Sequence, residues 1–157
     1  MRIFTVSVLL LSLIACPLAY GKTPDDSVKA KLDARKIHYE IDGDGDFKIT
    51  YSYKKENRTQ LVFVSGVTQT VGGLTIREIF SPAARIEKDG IDGAKALKLL
   101  AESRDNKMGS WEIGGDVLYF VIKVPDPNAE DLERFMDIVA ESADSMELKL
   151  SGARDDL

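Results

Sequence analysis

Asp42, Asp44 and Asp46 alternate with glycines in the run DGDGD, which looks like the start of a calcium loop. A hard cation is held by several carboxylate and carbonyl oxygens converging from one tight loop. The helix–loop–helix calcium motif also needs glycine at the sixth position and a bidentate glutamate at the twelfth, where this chain has Phe47 and Tyr53. A strand pattern follows instead of a helix. The stronger reading is a glycine-rich turn whose aspartates bond the local backbone. Asp42, Asp44 and Asp46 stand as the alternative metal set.

The rest of the chemical inventory is sparse. His38 is the one histidine and Cys16 the one cysteine. A histidine-based triad, a histidine-rich zinc site and a mature cysteine nucleophile are thereby excluded. Ser110 and the other serines lack an activating partner in sequence. Neither Gly72-Gly73 nor Gly114-Gly115 sits in a phosphate-loop pattern. Tyr51, Tyr53 and Trp111 are candidate binding aromatics, with core or cross-strand packing the stronger reading for each. No catalytic residue and no cofactor is assigned. Asn57-Arg58-Thr59 matches a glycosylation acceptor, read here as chance.

The elements that must position these residues begin after a targeting segment. Met1-Arg2 is a short positive region, and Ile3 to Ala15 is apolar but for Thr5, Ser7 and Ser12. Pro17 breaks the run, and Ala19-Tyr20-Gly21 offers small residues for cleavage before Lys22. Residues 1–21 are expected to be a bacterial secretory signal. The run is too short for an ordinary membrane span. Leu13-Ile14-Ala15-Cys16 resembles a lipoprotein box, so lipid anchoring at Cys16 is the alternative processing. Localisation is therefore exported: periplasmic or secreted, or anchored through Cys16.

Residues 22–150 are expected to form a single domain and 151–157 a polar tail. The net charge of -5, with both signs mixed, argues against nucleic acid as partner. Thr23-Pro24-Asp25-Asp26 predicts a helix start, Thr23 as cap, with the helix running to about Lys36 and a thin stripe of Val28 and Leu32. Phe47, Ile49, Tyr51 and Tyr53 alternate along a first strand. Leu61-Val62-Phe63-Val64 reads as a strand covered on both sides. Gly66 suggests a bulge and Gly72-Gly73 a tight turn. A third strand covers Leu74 to Ser81, with Leu74, Ile76, Glu78 and Phe80 sharing a face, and stops at Pro82. Asp92 caps a second helix ending near Asn106, with Leu97, Leu100, Ala101 and Arg104 at helical spacing. Met108 to Ile113 and Val117 to Val124 follow as strands, the second central. Asn128 and Asp131 start a last helix with Leu132, Phe135, Met136, Val139, Ala143, Met146 and Leu150 on one stripe. The fold class is α+β, with an antiparallel sheet in the order α-β-β-β-α-β-β-α.

This order is that of the type III secretion chaperone-like fold, and the sequence resembles the YbjN-like family of bacterial sensory-transduction regulators. The resemblance is carried by Asp44-Gly45-Asp46-Phe47, by Arg58 through Val64, and by Arg77-Glu78-Ile79-Phe80-Ser81. Leu97-Lys98-Leu99-Leu100 before the Trp111 strand and the run Val139 to Met146 also fit it. It spans roughly Val28 to Asp156. It implies a homodimer or a protein-binding module with no common catalytic site. The export signal is a departure, since secretion chaperones act in the cytosol. The function expected is an exported, non-enzymatic protein-interaction or chaperone-like module of the envelope, with a protein partner or a second copy and no membrane span. The alternatives are a calcium-stabilised or small-ligand-binding envelope domain using the Asp-rich turn, and a hydrolase relying on Asp and Glu alone.

Overall fold

The structure is a computed structural model that describes residues 24–54 and 57–152. Thr23, the expected signal with Cys16, and residues 153–157 lie outside the described residues. The described chain is α+β, with three helices on one face of a six-stranded antiparallel sheet. The strand order is β1-β2-β3-β4-β6-β5. No described helix is long and apolar enough to cross a membrane.

Helix α1 (Asp26–Arg35) is capped by Asp25, whose side chain accepts from Ser27 N, so the cap stands two residues beyond Thr23. Asp25 does this better than proline-flanked threonine because its carboxylate also meets the helix N-terminus. The helix has almost no amphipathic character and is held by Val28 and Leu32, both buried. A two-residue strand β1 (Glu40–Ile41) then pairs antiparallel with β2, an element too short to leave a periodic pattern.

Strand β2 (Phe47–Tyr53) runs beside β3 (Arg58–Val71), with Phe47 opposite Val64 and Tyr53 opposite Arg58. Phe47 and Ile49 face the core as the alternation predicts. β3 is covered on one side only. Val62 and Val64 are buried beneath the helices, while Leu61 and Phe63 are half-exposed. Its register with β4 (Leu74–Arg85) shifts between Val64 and Thr68, which places the bulge at Gly66. A Cβ on Gly66 would lie 1.9 Å from the Gly45 carbonyl oxygen, so any other residue there must displace the backbone of the Asp-rich turn.

Pro82 does not end β4. The strand continues to Arg85, pairing with β6 (Val117–Pro125) through a second register shift between Pro82 and Ala84. The proline instead ends the ladder to β3, whose register stops at Phe63 opposite Phe80. Side chains take over from there. Ser81 Oγ donates to the Leu61 carbonyl at 2.6 Å, and Gln60 Nε2 donates to Ser81 Oγ at 2.8 Å and to the Pro82 carbonyl at 2.6 Å.

Helix α2 (Gly93–Ser103) is capped by Asp92 as expected, but its apolar stripe points outward. Leu99 is the buried residue, whereas Leu97 and Leu100 are 69% and 66% exposed. β5 (Ser110–Gly114) is an edge strand, as β1 is on the other side, and β6 is interior. Helix α3 (Ala129–Ser151) buries Leu132, Met136, Val139, Ala143 and Met146 across the sheet. Asn128 caps it, its Oδ1 accepting from Asp131 N and its Nδ2 donating to Asp131 Oδ2.

Candidate functional site

In the Asp-rich turn, Asp42 and Asp46 bond backbone amides. Asp42 Oδ1 accepts from Asp44 N at 2.9 Å and from Asp46 N at 3.0 Å. Asp46 Oδ1 accepts from Gly66 N at 2.8 Å, so the turn is pinned to the β3 bulge. Burial pushes the Asp46 carboxyl up, and the charges of Asp42 and Asp44 add to this. The Gly66 amide and the Ser65 hydroxyl oppose the rise. Asp44 points to solvent. Among the described residues, no group of three or more His, Cys, Asp or Glu is arranged to hold a metal ion.

The far side of the same bulge is held by Arg77. Its side chain is 1% exposed and sits on the helix-covered face between two carboxylates. Nη2 donates to Asp25 Oδ2 at 2.6 Å and Nε to Asp126 Oδ1 at 2.9 Å. Nη1 donates to the Ser65 carbonyl at 2.7 Å. One guanidinium thus joins the cap of α1, the bulge and the β6–α3 connection. Burial alone would raise the Asp25 carboxyl, but the hydrogen bonds from Arg77 and Ser27 hold it down at about 2. Asp126 is likewise held low: Lys31 and Arg77 outweigh the effect of burial. At the other end of the sheet Arg58 Nη2 donates to Asp144 Oδ1 at 3.0 Å and to Glu147 Oε2 at 2.9 Å.

The opposite, helix-free face carries a row of aromatic rings. Phe63 and Phe80 stack with centroids 5.2 Å apart and planes 9° from parallel. Tyr119 meets Phe80 edge-on at 5.6 Å and 83°. These rings come from β3, β4 and β6 and are all half-exposed. Leu61, Pro82 and Val117 extend the patch around a hollow of about 160 Å³ that also reaches Arg85. A polar border flanks it. Lys123 Nζ donates to both oxygens of Glu112, at 2.8 and 2.7 Å, and stands opposite Glu78 in the β4–β6 register.

A cleft of about 200 Å³ lies beside this border, lined by Ser65, Val67, Gln69, Ile76, Glu78 and Lys123. Burial pushes the Glu78 carboxyl up, against the pull of Lys123. Ser65 Oγ accepts from Val67 N and bonds Asp46, so it serves the bulge. Lys123 is already engaged by Glu112. The cleft therefore offers one raised carboxyl beside a neutralised lysine, which falls short of a nucleophile with its base.

The other aromatic and histidine candidates have structural settings. His38 is exposed beside Tyr39 on the connection before β1. Tyr51 is half-buried, and its hydroxyl donates to Asp137 Oδ1 at 2.9 Å. Burial and that carboxylate push the Tyr51 hydroxyl far up. Tyr53 is raised as well, chiefly by burial and then by the charge of Asp144. Trp111 packs edge-on against Phe120 at 4.9 Å, on the helix side. Sequence reasoning missed Phe63, Phe80 and Tyr119 as a group because they are distant in the chain. The available signal was the half-polar alternation Ile76-Arg77-Glu78-Ile79-Phe80, which leaves both faces of β4 mixed. No family model matches the chain, and no curated protein matches it either.

Proposed function

We propose that this chain is an exported, non-enzymatic protein-interaction module of the bacterial envelope, related to the YbjN-like proteins. It binds its partner, another protein or a second copy of itself, through the helix-free face of the sheet. The carrying observation is the half-exposed aromatic row of Phe63, Phe80 and Tyr119 with its Glu112–Lys123 border. An apolar aromatic centre inside a polar, charged rim is the composition of protein interfaces. The rigid sheet beneath it fixes the rings in place before any partner arrives, which lowers the entropy lost on binding.

The test is a crosslinking pull-down from envelope extract, read by mass spectrometry, alongside sedimentation of the isolated chain. One reproducibly enriched protein, or a doubled mass, is expected for the wild type and is lost in Phe63→Glu and Tyr119→Glu. Those variants should still melt cooperatively. Recovery that is unchanged by both substitutions overturns the reading. So does any turnover that depends on Glu78.

A further inference from the structure

On the helix-covered side, a second surface lies between α2 and α3. Two hollows of about 130 Å³ and 280 Å³ share Glu102, Met146 and Lys149 and so adjoin. The smaller has an apolar floor of Ile91, Leu99, Met146 and Leu150. The larger ends on Trp111 and Phe120, with Ser142 and Ser145 of α3 along its side. Together they make a groove whose buried lining, Ile91, Leu99, Phe120 and Met146, is apolar, while Asn106, Ser142 and Ser145 give the larger hollow a polar side.

The rim is charged with one sign in excess. Lys95, Lys98 and Lys149 line the smaller hollow against the single carboxylate of Glu102. Glu102 reaches Lys98 at 4.0 Å on its own helix and Lys149 at 3.6 Å across the groove, both long contacts. Lys95 Nζ donates to the Asp89 carbonyl at 3.5 Å. The nearby acids have other work: Asp92 Oδ1 accepts from Lys95 N and Asp89 Oδ2 from Arg85 N. The groove thus gathers positive charge on a chain whose net charge is -5.

We propose that this groove binds a single medium-chain fatty carboxylate. The tail lies over Met146 toward Trp111, and the carboxylate meets Lys95, Lys98 and Lys149. Apolar side chains in two small adjoining hollows, joined at Met146, select a chain over a compact ring. The lysine excess selects an anion over a neutral or cationic head. Glu102 acts as a placeholder: the incoming carboxylate replaces it at Lys149 and Lys98.

The sole tryptophan of the chain sits at the far end of the groove and serves as reporter. Decanoate, kept below its micellar concentration, is titrated by calorimetry, and 10-bromodecanoate is used to quench Trp111. One-to-one binding is expected, with quenching that saturates at the same concentration. The double charge reversal of Lys98→Glu with Lys149→Glu should weaken binding by about tenfold, which is about 1.4 kcal/mol. Ser145→Phe, a blocker at an exposed position, should abolish both heat and quenching without lowering the melting temperature. Decylammonium and octyl glucoside should bind at least tenfold more weakly than decanoate. Equal binding of those two probes, quenching that survives Ser145→Phe, or no heat with decanoate each overturns the proposal.

Discussion

The covered face of the sheet buries Arg58, Gln60, Arg77 and Ser81, whereas the open face shows Phe63, Phe80 and Tyr119 to solvent. A sheet stabilised by burial alone would have these the other way round. The buried polar groups are tolerated because they are partnered: Arg77 by Asp25, Asp126 and the Ser65 carbonyl, Arg58 by Asp144 and Glu147. Among the described residues, the exception is Gln60 Oε1, which is buried without a hydrogen bond. Each bonded polar group fixes a connection between elements, so the covered side acts as a frame. On the open side the tie between strands is the exposed Lys123–Glu112 pair, which adds little to stability. The rings there touch one another, and that ring–ring contact adds only about 0.5–1.5 kcal/mol per pair. The frame should govern stability and the open face should govern binding.

Substitution in the frame should therefore cost most. Arg77→Met should lower unfolding free energy by about 3 kcal/mol, the low end for removing one partner of a buried ion pair, because Asp25 and Asp126 keep some contact with water. Urea denaturation measures it. A loss no larger than that of Phe63→Glu would dissolve the distinction between the faces. Gly66→Ala comes next, at about 1–3 kcal/mol, since its methyl group meets the Gly45 carbonyl rather than a flexible side chain.

The two aspartates around the bulge should respond to acid with opposite signs. Asp25 is held at about 2, below its ordinary value of 3.8, so its stabilisation is present above pH 4 and is lost as pH falls toward 2. Asp46 is raised, so its charged form opposes folding at neutral pH and protonation relieves that penalty. Asp25→Asn should lower stability at pH 7 and flatten its loss between about pH 4 and pH 2. Asp46→Asn keeps an oxygen for Gly66 N and should leave stability at pH 7 unchanged or slightly higher. Melting curves across this range, in both variants, would show the two slopes. Identical slopes would mean that the bulge is not held as described. The smallest effect belongs to the open face: Phe63→Glu should cost about 1 kcal/mol or less of stability while removing partner binding.

The fold class was readable from periodicity because β2 and α3 each have one clear face. Phe47 and Ile49 of β2 and Leu132, Met136, Val139, Ala143 and Met146 of α3 are buried as their spacing implies, with Tyr51 and Phe135 half-buried beside them. The caps at Asp92 and Asn128 were readable from local chemistry alone. What failed to show were facts about layers. Nothing in Leu61-Val62-Phe63-Val64 says that only one side is covered, since apolar residues on an open face look the same in sequence. Leu97 and Leu100 fit a helix stripe equally well whether it faces in or out. Arg77 was unreadable because its acids lie 52 and 49 residues away in sequence. The Asp-rich turn was correctly placed as backbone-bonding, but its tie to Gly66 also spans the chain.

The ties of α1 have a consequence in time. Its ion pairs run from Lys31 to Asp126, 95 residues on, and from Arg35 to Glu133, 98 residues on. Its cap meets Arg77, 52 residues on. A ten-residue helix with so little amphipathic character does not hold itself together in water. While the polypeptide emerges, the first helix lacks its ion-pair partners at Asp126 and Glu133 until the last helix arrives. Folding must then close a loop of nearly the whole domain, which is slow and cooperative. The leading segment stays pliable for as long as synthesis lasts, and the domain completes itself in a single late step.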